Sequence, residues 1–448
     1  MKTVLKPTAF AAVIAAGIIA SQASQAQPAR GEIVTQQRPV SAFSAIELGG
    51  PYRVIVHAQG KPGVELSGER EQLDEVETLV RGDTLVVRPV SRNGFYFGIG
   101  KRRATVTVNI SAAALRSLSN SGSGDVDIDQ IAGEQFTLTG SGPGDVHAAG
   151  AVRELVVKSS GSGDLDLHQV KAANVRLAMS GPGDVQLGGV GNELNASVSG
   201  PGDLSADGVR LARLTAQMSG PGNISLTGSS RELRLESSGS GDFEGCGLAV
   251  EQVRTIQRGP GNACVAGNIR KFEAEVHGSG DLSASGLQAQ SAQVRLSGPG
   301  NAEIAGSVAD LSAEVSGSGD LDAAQLKVRK AMVKGRGPGE IRLATVTDTL
   351  DAELHSSGEL SATMAGKRLQ LQMSGPADAH IDGTVDQVNA QLSGAGSLEA
   401  RRLAAAHADI QVRGPGSAAV NLTGGGKRLA DRSSMLLVDR RGTHHITE

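Results

Sequence analysis

The sequence predicts an all-β fold: a right-handed parallel β-helix of about sixteen coils with a small β-rich cap at its amino end. Three observations predict it. The motif Ser-Gly-Ser/Pro-Gly-Asp returns with a step of 19 or 20 residues. Apolar and polar residues alternate with period two on both sides of it. The chain holds 61 glycines but only two Tyr, seven Phe and no Trp, which suits a narrow core of Ala, Val, Leu and Ile.

In chain order, residues 1–26 read as a secretory signal peptide. Lys2 and Lys6 precede an apolar stretch from Ala9 to Ala20, and Ser24-Gln25-Ala26 supplies a small-x-small cleavage site. No Cys follows that site, so no lipid anchor is expected there. No later run of 18 apolar residues occurs, so no transmembrane segment is expected in the mature chain. The expected location is exported: periplasm, outer surface or secreted. Removing Lys2 and Lys6 takes the net charge from -4 to about -6, and a chain of that sign is not expected to bind nucleic acid.

Residues 27–118 lack the repeated motif and read as the cap leading into the solenoid. Strands are predicted at Ala45–Leu48, Tyr52–His57, Leu85–Pro89 and Thr105–Ile110, with a polar helical piece at Glu69–Glu77. A solenoid needs such a cap, because an open end exposes core and unpaired strand edges.

Residues 119–423 are the repeats. The motif ends successively at Asp125, Asp145, Asp164, Asp184, Asp203, Asn223, Asp242, Asn262, Asp281, Asn301, Asp320 and Glu340. Weaker copies end at Glu359, Asp378, Ser397 and Ser417. One residue after each is apolar, as in Val126, Val146, Leu165, Val185, Leu204 and Ile224. Two after is polar, as in Asp127, His147, Asp166, Gln186 and Ser205. A second strand precedes each motif, as in Val175, Leu177 and Met179. Alone, one unit cannot bury its apolar face. Stacked about 4.8 Å apart, units bury it against each other. Glycine is expected at the corners for backbone angles that side chains disfavour. Pro143, Pro182, Pro260 and Pro299 donate no hydrogen bond, so that corner is expected outside the sheets. The Asp/Asn alternation from Asp203 to Asn301 favours a coil of one unit, which sets each Asp beside an Asn. Residues 424–448 read as a C-terminal tail expected to fray, with His444-His445 given no role.

The stretch Arg38-Pro-Val-Ser-Ala-Phe-Ser-Ala-Ile-Glu-Leu-Gly-Gly-Pro-Tyr-Arg-Val-Ile-Val resembles the opening of the auto-transporter adhesin head GIN domain family. Val76-Glu-Thr-Leu-Val-Arg-Gly-Asp-Thr-Leu-Val-Val-Arg, Val106-Thr-Val-Asn-Ile and Leu115-Arg-Ser-Leu-Ser-Asn-Ser-Gly-Ser-Gly-Asp-Val fit the same pattern. The resemblance is closest over residues 34–250 and continues more loosely to about Ser417. It implies a β-helical exported bacterial protein, and it brings no catalytic residues. A membrane barrel of its own is not expected, because the tail is short and without aromatics.

Four features bear on function. The Asp column suggests calcium, which Gly-rich nine-residue repeats bind, but this step is twice as long and the column changes to Asn and Ser. Turn capping through each residue's own side chain is the expected role, with no metal and no cofactor. The outward row of Asp127, His147, Asp166, Gln186 and Ser205 thins out, so no catalytic group is expected. Phe95, Tyr96 and Phe97, between Arg92 and Lys101-Arg102-Arg103, are candidate partner-binding residues or rings that seal the solenoid end. Cys246 and Cys264 fall in adjacent coils about 8 Å apart in ideal stacking, beyond disulfide reach. A distorted turn at Gly245-Cys-Gly would close the gap. The expected function is a non-enzymatic envelope or surface module that binds a glycan, an envelope polymer or a surface protein through a repetitive face. The alternatives are a polysaccharide-active enzyme and a structural spacer.

Overall fold

The computed structural model describes residues 32–90, 105–112, 114–423, 433–439 and 442–447. Phe95, Tyr96 and Phe97 lie outside the described residues, as does the signal segment.

The repeats form a parallel β-solenoid. Each coil pairs with the next in register, and the core is a stack of matched positions. The residue after the motif shows this directly: Val126 pairs with Val146, Val146 with Leu165, Leu165 with Val185, and Val185 with Leu204. The column runs on through Ile224, Phe243, Ala263, Leu282 and Ala302. These side chains are all buried. Their alternation with exposed neighbours carries the burial pattern of every strand, as in Val126–Gly140 and Leu165–Met179. The glycine corners stack down one edge. A Cβ built on Gly142 would overlap the carbonyl oxygen of Gly122, and one on Gly161 would overlap that of Gly142. The same holds from Gly163 to Gly339 at the motif's second glycine.

This changes the expected reason for those glycines. Among the described residues, no motif glycine from Gly122 to Gly339 has a positive φ. They are needed because backbones of successive coils touch there, leaving no room for a side chain. Over these coils positive φ belongs to the other corner, at Gly150 (145°), Gly208 (63°) and Gly306 (133°); in the weaker copies it also occurs at the motif's Gly375 (105°) and Gly414 (131°). Proline sits where expected. The turn ladder runs from Gly144 N to Gly122 O and from Gly183 N to Gly161 O, both to the residues around the proline site.

At the amino end the strands are β1 (Ile33–Arg38), β2 (Ala45–Leu48), β3 (Arg53–His57), β4 (Gly63–Glu69), β5 (Val76–Arg81), β6 (Thr84–Pro89), β7 (Thr107–Ser111), β8 (Ser117–Asn120) and β9 (Val126–Gly140). β1 with β4, β4 with β7 and β5 with β6 pair antiparallel. β2 and β3 continue the parallel ladders: Ile46 pairs with Leu118 and Val54 with Val126. The stretch Gly49-Gly50-Pro51-Tyr52 therefore lies under the first motif, with Gly50 against Gly122. Of the polar helical piece, only one turn forms, α1 (Arg70–Leu73). Val76 onward instead pairs with β6, where an antiparallel ladder satisfies six residues that a short isolated helix would leave marginal.

The tail is not frayed throughout. Ser433–Asp439 pairs antiparallel with Ser417–Thr423, and Gly442–Thr447 pairs with Ser433–Asp439. Leu436 and Val438 are buried. The added strand covers the edge of the last coil, which a solenoid otherwise leaves unpaired. His444 pairs with Leu437 and His445 with Leu436 in this hairpin.

Candidate functional site

The outward faces carry whatever this molecule does, since its interior is packed. Three features stand out on them.

The first is the Asp/Asn column. Each side chain accepts a backbone N–H from the equivalent residue one coil later. The chain of bonds runs from Asp145 N to Asp125 Oδ1 (3.3 Å), through Asn223 N to Asp203 Oδ1 (2.7 Å) and Asp281 N to Asn262 Oδ1 (2.9 Å), to Glu340 N on Asp320 Oδ1 (2.7 Å). The expected turn cap is thus a bond between coils. Asp and Asn serve equally because both present an Oδ1 acceptor. Each Asp from Asp203 to Asn301 does lie beside an Asn. Among the described residues no group of three or more His, Cys, Asp or Glu is placed to hold a metal ion.

The second is a groove of about 300 Å³ over the first coils. The outward row does not thin out here, because β3 adds residues that sequence spacing did not connect to it. Ile55 and His57 of β3 pair with Asp127 and Asp129 of β9, and Asp127 pairs with His147, which pairs with Asp166. His57 Nδ1 lies 2.7 Å from Asp129 Oδ2, Arg53 lies 3.3 Å from Asp127, and His147 Nδ1 lies 3.5 Å from Asp166 Oδ2. His168 contacts Asp166 through its ring and its backbone N–H. Burial pushes the Asp166 carboxyl up. The hydrogen bonds and charge of His168, with His147 adding, outweigh that and hold it below the usual carboxylate range. The missed signal was register: His57 is 72 residues before Asp129 in the chain.

The third is a disulfide between Cys246 and Cys264, whose Cα atoms are 5.2 Å apart. Ideal stacking gives a longer gap, and a bulge removes it. Gly245 pairs with Val265, but the next pair is Ala249 with Ala266. Cys246 sits on the unpaired residues between and folds back over Cys264. Gly245 permits this, since a Cβ there would stand 2.5 Å from the Phe243 ring and 2.9 Å from Cys264 O.

Every aromatic ring among the described residues is buried: Phe43, Tyr52, Phe136, Phe243 and Phe272. The described faces therefore offer hydrogen bonds and charge, not stacking.

Coils in register, a close-packed glycine corner and an antiparallel cap define a parallel β-solenoid with a small antiparallel region at its amino end. The family described as "Putative auto-transporter adhesin, head GIN domain" matches residues 42–230, 190–269, 223–305, 267–362 and 346–425. The chain belongs to that family. No curated protein matches it. Solved structures similar to it include a putative adhesin from Parabacteroides merdae (14% identity, 79% of this chain and 95% of that one, TM-score 0.23). A putative lipid binding protein from Parabacteroides distasonis is similar at 17% identity, over 78% of this chain and 94% of that one, with a TM-score of 0.21. A putative cell adhesion protein from Clostridium sporogenes is similar at 10% identity, over 57% of this chain and all of that one (100%), with a TM-score of 0.18. Among the described residues no helix is long and apolar enough to cross a membrane.

Proposed function

We propose that this protein is an adhesin module outside the cytoplasm, a rigid solenoid that binds an envelope polymer, glycan or surface protein through many weak contacts on its outer faces. One observation carries the reading: outward side chains register coil on coil without interruption from Asp127 to Glu399. Such a surface favours avidity over a single deep site. The family assignment supports it. The Cys246–Cys264 disulfide supports a location in an oxidising compartment. Residues 1–26 are assigned as the signal that takes it there, with residues 27–118 as cap and 119–423 as the binding solenoid.

The test uses chain 27–448 in pull-downs from envelope fractions and glycan panels, beside a variant lacking residues 204–242, one pair of coils. Binding that weakens with the shorter solenoid supports the reading. A chain that retains nothing from any fraction is a spacer.

A polysaccharide-active enzyme is the second reading, because three carboxylates (Asp127, Asp129, Asp166) share one groove with His147 and His168, and His57 contacts Asp129. Glycoside hydrolysis needs a carboxylic acid held protonated near neutral pH. Asp166 is shifted the opposite way. Release of reducing ends from envelope polysaccharide, abolished by Asp166→Asn, is the outcome that would favour the enzyme.

A further inference from the structure

The solenoid faces are not uniform. One outward row runs through Lys271, Ser291, Asp310, Lys330, Thr349 and Arg368, one residue per coil. The row beside it runs through Glu273, Gln293, Ser312, Met332 and Asp351. Small residues, Ser291 in one row and Ser312 in the other, drop the surface between longer neighbours. The result is a trough of about 610 Å³, open to solvent and running along the solenoid axis. Its length is five inter-coil steps, about 24 Å. Met332 stands 50% exposed on its wall.

The trough is lined by three cations and three acids, but their ion pairing is unequal. Two of its acids are already engaged, Glu273 with Arg254 at 3.5 Å and Asp310 with Arg329 at 2.9 Å. Among the described residues Asp351 has no ion pair, and burial, then the charge of Glu353, pushes its carboxyl up against the opposing pull of Lys334. Among the described residues no ion pair or hydrogen bond engages Lys271, Lys330 or Arg368. Three unpaired cations therefore lie in one line along the axis, three coils and two coils apart. Between them stand Ser291, Gln293, Ser312 and Thr349, groups that both donate and accept hydrogen bonds.

We propose that this trough binds an acidic polysaccharide laid along the solenoid axis, with carboxylates on Lys271, Lys330 and Arg368 and hydroxyls on the serine, threonine and glutamine side chains between them. This deepens the adhesin reading and rests on it. Two features favour a polysaccharide over an acidic peptide. The strands under the trough are paired on both sides, so a peptide backbone finds no strand edge to join. A sugar chain needs no such edge. The absence of exposed rings on the described faces disfavours a neutral glycan, which relies on stacking.

The experiment measures polygalacturonate binding to chain 27–448 by affinity electrophoresis and titration calorimetry. Dextran and poly-glutamate serve as comparison polymers. The triple variant K271E/K330E/R368E is compared with K158E/R210E/R231E, which changes net charge equally elsewhere on the surface. Polygalacturonate is expected to bind at low salt, to weaken as salt rises, and to lose about tenfold in affinity in the first triple only. Unchanged melting of both triples shows that the fold is intact. Equal losses in the two triples, no binding at low salt, or tighter binding of poly-glutamate overturns the proposal. Retention of envelope material by a chain that ignores polygalacturonate overturns the trough and leaves the adhesin reading standing.

Discussion

The motif corner uses glycine in nearly every coil because backbones touch there, whereas the opposite corner uses it only in some coils and adds a positive φ, with backbone contact at Gly228 and Gly306 but none at Gly208. At the motif corner, successive backbones are in contact and a Cβ has nowhere to go, as at Gly202 over Gly183. At the opposite corner, six residues on, Gly208 has open space around it but a φ of 63°. The register follows the same division. Pairing shifts fall after the first short strand, between Ala206 and Val209, Ser225 and Gly228, Ala284 and Leu287, or His380 and Gly383. Those bulges absorb the alternation of 20- and 19-residue coils. Over Glu359–Met373 and Asp378–Leu392, two 19-residue coils, the register does not shift at all, although coils of the same length shift between Leu343 and Thr345 and between Val346 and Thr349. One corner fixes the stack and the other takes up the slack.

The largest expected effect breaks the fixed corner. Gly202→Ala should cost about 3 kcal/mol or more, because a backbone-on-backbone overlap forces the coils apart. Gly208→Ala, in the same coil, should cost about 1 kcal/mol, the penalty for a left-handed residue with no clash. Hydrogen exchange of residues 190–218, with chemical denaturation of the whole chain, reads both. Equal costs would merge the two corners into one mechanism.

Next comes the disulfide, which pins a bulge on the slack side. Cys246 and Cys264 are 18 residues apart, and reducing a loop of that size should cost the adjoining coils about 3 kcal/mol in the chain-entropy account, less if the coils hold one another in the unfolded arm. Exchange that quickens only around residues 243–276 supports a local clamp. Exchange that quickens along the whole solenoid contradicts it.

The column on the fixed side predicts a smaller pair of effects. Asp203→Ala removes the acceptor for Asn223 N and should cost about 1 kcal/mol. Asp203→Asn keeps the acceptor and removes a charge facing Asp184, so its midpoint in denaturant should match or exceed that of the parent protein. A cost as large as alanine's would mean that charge, not the acceptor oxygen, matters.

The smallest effect concerns pH. Asp166 has its folded-state value lowered, so its ion pair with His168 stabilises the fold above the unfolded carboxylate range. That contribution is lost as pH falls through the lowered folded value. His168 is exposed and Asp166 half-buried, so the effect is small and confined to local exchange in Val146–Ser159 and Leu165–Met179, and Asp166→Asn should remove the pH dependence.

Much of this was legible in the chain. Step length, alternation and the apolar residue after each motif fix the stack, because a period-two pattern repeated at constant spacing has one way to bury its face. Ala45–Leu48 was read to the residue. What failed needed a third dimension. Nothing in Gly202 distinguishes a steric glycine from a conformational one. The bulge that joins Cys246 to Cys264 depends on two coils of unequal length meeting. The Asp and His groove needed β3 laid beside β9, and the hairpin at Ser433–Asp439, expected to fray, needed the edge of Ser417–Thr423 to pair with.

Spin-label distances test the stacked coils most directly. In a background of C246S and C264S, labels are placed at S205C paired in turn with S283C, D322C and S361C, all on one outward row. Stacked coils predict separations near 19, 29 and 38 Å, rising by about 4.8 Å for each coil crossed. Separations that fail to grow with the number of coils would contradict it.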